Sequence, residues 1–245
     1  MGGVLLKACL NGSRRPADHP ALPTTPDALA RDARLAVRAG AGALHVHPKD
    51  GDGADSLDPS TVAATLDAIR RAVPGVPVGV TTGAWAEPDP HRRAAVIRMW
   101  TVRPDFASVN WHEPGAVGVA EALWECGVDV EPGLWYPSAV AAWRAWPDRG
   151  RCLRVLLEVV DDHPPQAAVA AATRLLDALG DDLTMVAVLL HGEGTSCWPV
   201  FGEAVRRGLA VRIGLEDVLT LPDGRPAGGN ADLVAAARAL LDAPA

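Results

Sequence analysis

The chain lacks the features that would place it in a membrane, on a nucleic acid or in an oxidising compartment. Its four cysteines, Cys9, Cys126, Cys152 and Cys197, lie far apart and form no Cys-x-x-Cys pair. That argues against a disulfide framework or a zinc ribbon and for a reduced, cytoplasmic protein. No apolar run reaches the ~20 residues of a membrane-spanning helix. Met1-Gly-Gly-Val-Leu-Leu-Lys-Ala8 has neither the basic start nor the long apolar core of a signal peptide. Lysine is sparse, there is one tyrosine, and no lysine-arginine cluster forms a basic face, while the formal net charge is −7. The balance argues against polyanionic partners but allows a small anionic ligand held by a few arginines. The abundance of Ala, Gly, Arg and Pro reads as high-GC coding bias. No Gly-x-Gly-x-x-Gly follows the first apolar run, where Asn11-Gly12-Ser13-Arg14-Arg15-Pro16 stands instead, and this counts against an open dinucleotide-binding sheet. No repeat, low-complexity segment or linker interrupts the 245 residues, a length that suits one large α/β domain or two small ones.

What is present is a regular alternation of short apolar runs and amphipathic stretches. Strands are expected over Val4–Leu10, Ala41–His47, Val76–Thr81, Phe106–Val109, Val128–Leu134, Leu153–Val159, Met185–Leu190 and Val211–Leu215. Helices follow them from Thr25-Pro26-Asp27, then over Thr61–Val73, Pro90–Thr101, Gly115–Cys126, Ser138–Trp146, Pro165–Leu179, Pro199–Gly208 and Asp232–Leu241. Pro26 behind a Thr25 cap is a helix start, and Leu29, Ala33, Ala36, Val37 and Gly40 share one face. Eight strand-helix units without a long gap predict an α/β fold, a single (β/α)8 TIM barrel over residues 1–245.

Within that frame Leu44-His-Val-His-Pro-Lys-Asp50 stands out. Histidines two apart on a strand point to the same side, so both imidazoles can converge on one divalent metal at the C-terminal mouth. Such pairs also occur as ordinary hydrogen-bonded strand residues, and zinc needs a third protein ligand. The strand ends supply a polar set: Asn11, His45, His47, Thr81, Thr82, Ser108, Asn110, Glu131, Glu158, His191, Glu216 and Asp217. In a closed barrel the eighth strand lies beside the first and one strand from the second, so Glu216 can face His45 and His47. Asp217 then stands next to the metal as a base or supporting group. Arg212 lies deeper, either orienting carboxylates or forming a lumen ion pair.

Five segments occur in fixed order: Lys7-Ala-Cys-Leu-Asn-Gly-Ser13, His19-Pro-Ala-Leu-Pro-Thr-Thr-Pro26, Gly40-Ala-Gly-Ala-Leu-His-Val-His47, Arg103-Pro-Asp-Phe-Ala-Ser-Val-Asn110 and Val211-Arg-Ile-Gly-Leu-Glu-Asp217. Together, over essentially the whole chain, they resemble the β-keto acid cleavage enzymes, whose best-known type is the 3-keto-5-aminohexanoate cleavage enzyme. The resemblance implies a zinc-dependent (β/α)8 barrel, usually a homotetramer, that exchanges a β-keto acid with acetyl-CoA to give acetoacetate and a new acyl-CoA. It implies zinc on His45, His47 and Glu216, a carboxylate-binding Arg212 and a catalytic Asp217. It also implies a strand-3 hydroxyl on Thr81 or Thr82 and a strand-4 hydroxyl on Ser108, with Ser108 or Asn110 steadying oxyanions.

The departures from the family pattern concern the substrate. Where the best-known type carries an acid for its substrate's amino group, this chain has Arg14 and Arg15, which predicts a neutral or anionic tail. The fifth unit keeps Glu131 but has Gly133 where the family usually has a second acid, which puts a catalytic role for Glu131 in doubt. Asn11, Glu131 and Glu158 are further substrate-binding candidates, Glu158 alternatively being a lumen ion pair. His191-Gly-Glu-Gly-Thr-Ser196 resembles a glycine-rich loop, so that His191, Gly192 and Gly194 are candidates for holding a CoA phosphate. Trp111, His112 and Trp135 are expected at the pocket mouth, and Trp143 and Trp146 in packing.

Rival functions are a metal-dependent aldolase or hydroxyacyl-CoA lyase, an amidohydrolase-type hydrolase, and a barrel that only binds a chelated metabolite. The hydrolase would want His-x-His on the first strand and histidines at the fifth and sixth, where this chain has Asn11 and glutamates. Simple binding would not need Asp217 and Arg212 beside the ligands.

Overall fold

The computed structural model describes residues 4–243, so Met1–Gly3 and the last two residues lie outside it. Eight strands run in parallel: β1 (Leu6–Cys9), β2 (Ala43–Val46), β3 (Val78–Thr81), β4 (Phe106–Asn110), β5 (Asp129–Leu134), β6 (Val155–Val159), β7 (Val188–Gly192) and β8 (Val211–Ile213). Each is followed by a helix: α1 (Pro26–Arg38), α2 (Pro59–Ala72), α3 (Pro90–Arg98), α4 (Ala116–Glu125), α5 (Pro137–Arg144), α6 (Pro165–Leu179), α7 (Cys197–Arg206) and α8 (Asn230–Asp242). The sheet order β7-β6-β5-β4-β3-β2-β1-β8 is that of a (β/α)8 barrel. It closes between β7 and Ala210, just ahead of β8, where Leu190 donates to the Ala210 carbonyl at 3.0 Å and Ala210 to that of Val188 at 3.2 Å.

The helices start where their caps dictate. Thr25 Oγ1 accepts the Ala28 N–H ahead of α1, and Asp58 and Asp89 each accept two N–H groups ahead of α2 and α3. Each cap is worth about 1 kcal/mol, and a proline follows it at the first helical position. Leu29, Ala33 and Ala36 turn the apolar face of α1 onto the sheet.

Two strands differ from expectation in ways that bear on function. β7 starts three residues late, because Gly180–Thr184 form a 3-10 turn and Met185 remains exposed; its end therefore reaches Gly192. β8 stops at Ile213, and Gly214–Asp217 turn instead, Asp217 N–H returning to the Gly214 carbonyl at 2.9 Å. Glu216 and Asp217 consequently leave the strand in a turn and take different positions.

The lumen floor is closed by charge as well as by hydrocarbon. Lys7 Nζ lies 2.6 Å from Glu131 Oε2 and Arg154 Nε 2.8 Å from Glu131 Oε1, with the Phe106 ring beside both cations. Glu131 is fully buried in this triad and does not line the cavity at the barrel mouth. Its candidacy for substrate binding is corrected accordingly: two cations already occupy its oxygens. No helix among the described residues is long and apolar enough to cross a membrane.

Candidate active site

The pairing of β1 with both β2 and β8 brings the three ligand candidates together. His45 Nε2 lies 3.8 Å from Glu216 Oε2, and His47 Nε2 lies 3.8 Å from Glu216 Oε1. These separations are too long for hydrogen bonds. They are close to the ~3.4 Å that separates two ligand atoms each ~2.1 Å from one tetrahedral zinc. Glu216 Oε2 is buried without a hydrogen-bond partner, and burial, followed by the His47, Lys7 and Arg212 charges, holds His45 well below the usual histidine range. A neutral imidazole and an unpaired buried carboxylate oxygen fit a cation between them, so the group can hold a metal ion. Gly12 makes room for it: its φ is +56°, and a Cβ there would meet Glu216 Cγ at 2.5 Å.

Asp55 orients the second histidine. Its Oδ2 lies 2.8 Å from His47 Nδ1 and also accepts Trp85 Nε1–H at 2.7 Å, while Oδ1 pairs with Lys49. Lys49 in turn donates to the Gly12 carbonyl at 2.7 Å, tying the first loop to the histidine. The Trp85 indole stacks on His47 with 12° between planes. A carboxylate behind a ligating imidazole fixes its tautomer and raises its basicity. Asp55→Asn is therefore expected to weaken metal affinity about 10–100-fold, measured by chelator competition; an unchanged affinity would contradict this role.

Arg212 organises the acids. Its Nη2 lies 2.6 Å from Asp217 Oδ1, 3.0 Å from Glu216 Oε1 and 3.6 Å from Glu193 Oε1. Asp217 Oδ1 receives Arg212 Nε as well, at 3.0 Å, whereas Oδ2 has no partner. Burial raises the Asp217 pKa against the opposing pull of Arg212. Half-buried Glu193 is pushed up to about 8, by burial first and with Arg212 opposing. His191 Nδ1 lies 3.8 Å from Asp217 Oδ1 and Nε2 lies 3.0 Å from Glu158 Oε2.

A cavity of about 260 Å³ joins these groups, with Ser13, Trp85, Ser108 and Trp135 on its walls. Of the expected site residues His45, His47, Thr81, Ser108, Asn110, Glu158, Arg212 and Glu216 line it. Asp217 does not; it lies wholly buried against Arg212. Thr82 is also off the wall, its hydroxyl donating to the Ser108 carbonyl at 2.7 Å, so the strand-3 hydroxyl is that of Thr81. Asn11 exchanges both amide groups with the His47 backbone at 2.9 Å and so positions His47 without lining the cavity. Trp111 packs on Trp146 at 4.8 Å, away from the cavity.

Two expectations need correction. Arg14 donates to the Glu216 carbonyl at 3.3 Å, and Arg15 is exposed on a neighbouring hollow with Lys49 and Trp85; neither lines the main cavity. The His191–Ser196 segment is not a phosphate cradle. Gly194 N–H goes to the Asp217 carbonyl, Thr195 N–H to Asp162 and Ser196 N–H to the Glu193 carbonyl. His191 is buried between two carboxylates, surroundings that repel an anion. Sequence reasoning missed Asp55, Lys49, Trp85, Ser13 and Glu193; Lys49, Ser13 and Glu193 stand inside segments singled out above, whereas Asp55 and Trp85 carried no signal.

Fold and site together define a (β/α)8 barrel with a His-His-Glu group at the C-terminal mouth that could hold a metal ion. The sequence profile of the β-keto acid cleavage enzymes matches residues 3–244, and the chain belongs to that family. It is 31% identical over 106 residues to the 3-oxoadipate:acetyl-CoA acetyltransferase of Cupriavidus necator, covering 43% of this chain and 36% of that protein. It is 22% identical over 250 residues to the 3-keto-5-aminohexanoate cleavage enzyme of Acetoanaerobium sticklandii, covering 96% of this chain and 90% of that one. Among solved structures the fold resembles apo ObcA, with a TM-score of 0.72 at 18% identity over 89% of this chain and 61% of that one.

Proposed function

We propose that the protein is a zinc enzyme that exchanges acyl groups between a β-keto acid and acetyl-CoA. The observation that carries the reading is the His45–His47–Glu216 group sharing one cavity with Arg212, whose Asp217 partner keeps one oxygen free. Two imidazoles and one carboxylate suit zinc with a position left open. Zinc bound there supplies Lewis-acid polarisation of a keto carbonyl, which acidifies the carbon between the two carbonyl groups.

The chain's own residues do the rest. Arg212, on the cavity wall, receives the substrate carboxylate, and in turning to it loosens its hold on Asp217. Asp217 takes the α-proton on Oδ2. The resulting carbanion attacks the thioester carbon of acetyl-CoA, and CoA thiolate leaves. The thiolate then adds to the former keto carbon, the bond between that carbon and the α-carbon breaks, and acetoacetate departs with the returned proton, leaving the new acyl-CoA. The Ser108 and Thr81 hydroxyls face the cavity where oxyanions develop; Thr81 Oγ1 accepts from Gly83 N–H, so its own proton is free to donate.

No covalent nucleophile is required. Burial pushes the Cys9 and Cys197 thiols far above their usual range, and all four cysteines are free and buried, which suits the cytoplasm. The assembly is proposed to be a homotetramer, readable by light scattering.

The test is to incubate zinc-loaded protein with a panel of β-keto acids, with and without acetyl-CoA. Acetoacetate appearing only with acetyl-CoA is the expected result. Cleavage without it would replace exchange by a lyase or hydrolase, and bound zinc with no turnover would favour a binding protein.

A further inference from the structure

Across the barrel from β1 and β8, the cavity wall holds a polar recess that no step above uses. Gly133 of β5 pairs in register with Asn110 of β4 and Leu156 of β6. A methyl group on Gly133 would overlap Glu158 Oε1 and stand 3.0 Å from Asn110 Oδ1 and 3.5 Å from Trp135 Nε1. Only a glycine here lets these three polar side chains gather side by side, and all three line the cavity.

The hydrogen-bond capacity of each is unspent. Glu158, 4% exposed, faces His191 with Oε2, leaving Oε1. Asn110, 7% exposed, donates Nδ2–H to Glu113 Oε1 at 2.9 Å, leaving Oδ1 as an acceptor. Glu113 also accepts from Arg93 at 2.5 Å and from Ala84 N–H at 2.9 Å, so its role as acceptor fixes which way the Asn110 amide points. Trp135 Nε1–H is buried with no partner. Glu158 is ionised: burial pushes it up, but His191, Arg212 and Lys7 outweigh that and bring it down to about 2.

Two acceptors and one donor define their complement. A primary carboxamide offers two N–H donors and one carbonyl acceptor and meets all three. A hydroxyl meets at most two. A carboxylate faces the Glu158 charge, an ammonium leaves the Trp135 N–H unpaired, and a methyl group strands all three atoms. Building on the β-keto acid reading above, we propose that Glu158, Asn110 and Trp135 select a β-keto acid whose far end is an uncharged, carboxamide-type group.

The experiment uses the zinc-loaded protein and β-keto acids of two chain lengths that differ only in the terminal group: carboxamide, hydroxyl, methyl, carboxylate or ammonium. It reads kcat/KM with acetyl-CoA and, in parallel, calorimetric affinity without it. The carboxamide is expected to exceed the methyl and charged tails by about tenfold or more in both readouts. Trp135→Phe should bring the carboxamide-to-methyl ratio within about threefold of one. Glu158→Gln should raise the carboxylate tail relative to the carboxamide by about tenfold, a swap that loss of a purely structural residue would not produce. Turnover in which the methyl or a charged tail equals or beats the carboxamide overturns the recess and leaves the exchange reading intact. A carboxamide preference in binding with no turnover of any acid supports the recess and overturns the exchange reading. Neither turnover nor tail-dependent binding overturns both.

Discussion

Asp217→Asn is expected to lower kcat about 10²–10⁴-fold, the usual worth of a positioned general base. The substitution is isosteric, so Arg212 keeps an oxygen to hold and Glu216 keeps its place in the metal group. KM for the keto acid and zinc content should therefore change little, and the loss should sit in kcat. The expectation follows from the two carboxylate oxygens being unlike: Arg212 pins Oδ1 from two nitrogens, while Oδ2 has no partner. Burial raises the Asp217 pKa, so it accepts a proton more readily than a surface aspartate does. Steady-state kinetics with acetyl-CoA in excess provide the measurement. A loss below about tenfold would move the base to Glu193, the other carboxylate beside Arg212 and one that lines the cavity.

Arg212→Met should be the most damaging single change to both stability and activity. Arg212 is buried and lies within 3.0 Å of oxygens of Asp217 and Glu216. Without its charge two adjacent carboxylates share a dry site, a situation that costs about 3–5 kcal/mol. In a domain of this size that lowers Tm by about 10 °C, and the loss of the carboxylate anchor removes turnover as well. Adding Asp217→Asn to Arg212→Met removes one stranded charge, so the double variant should regain stability without regaining activity. Thermal unfolding of the metal-free proteins, set against kinetics of the zinc-loaded ones, separates the two effects. A double variant no more stable than Arg212→Met would mean that the loss comes from packing and not from uncompensated charge.

Much of the fold was legible because its determinants are local and periodic. Helix α6 runs Pro165–Leu179 as the apolar spacing required, and the Thr25 and Asp58 caps mark real helix starts. His45 and His47 were legible through the two-residue period of a strand, and Glu216 through the adjacency of β8, β1 and β2 in a closed barrel. Depth within the lumen was not legible. Glu131 and Glu158 both stand on barrel strands, yet Glu131 sits in the floor triad and Glu158 on the cavity wall. The turn at Gly214 was hidden too, since Val211-Arg-Ile-Gly-Leu reads as one continuous strand. Asp55, Lys49 and Trp85 reach the site only through the folding of loops, where Lys49 and Asp55 meet in an antiparallel bridge. No periodicity in the sequence encodes such a contact.

The exchange of carbon skeletons is the central claim, and one labelling measurement reaches it directly. Zinc-loaded enzyme is given an unlabelled β-keto acid and acetyl-CoA carrying ¹³C at the thioester carbonyl, and the acetoacetate formed is read by NMR. The mechanism places the label at the ketone carbon of acetoacetate, with the carboxylate and methylene carbons coming unlabelled from the keto acid. Unlabelled acetoacetate, or label recovered only as free acetate, would contradict it.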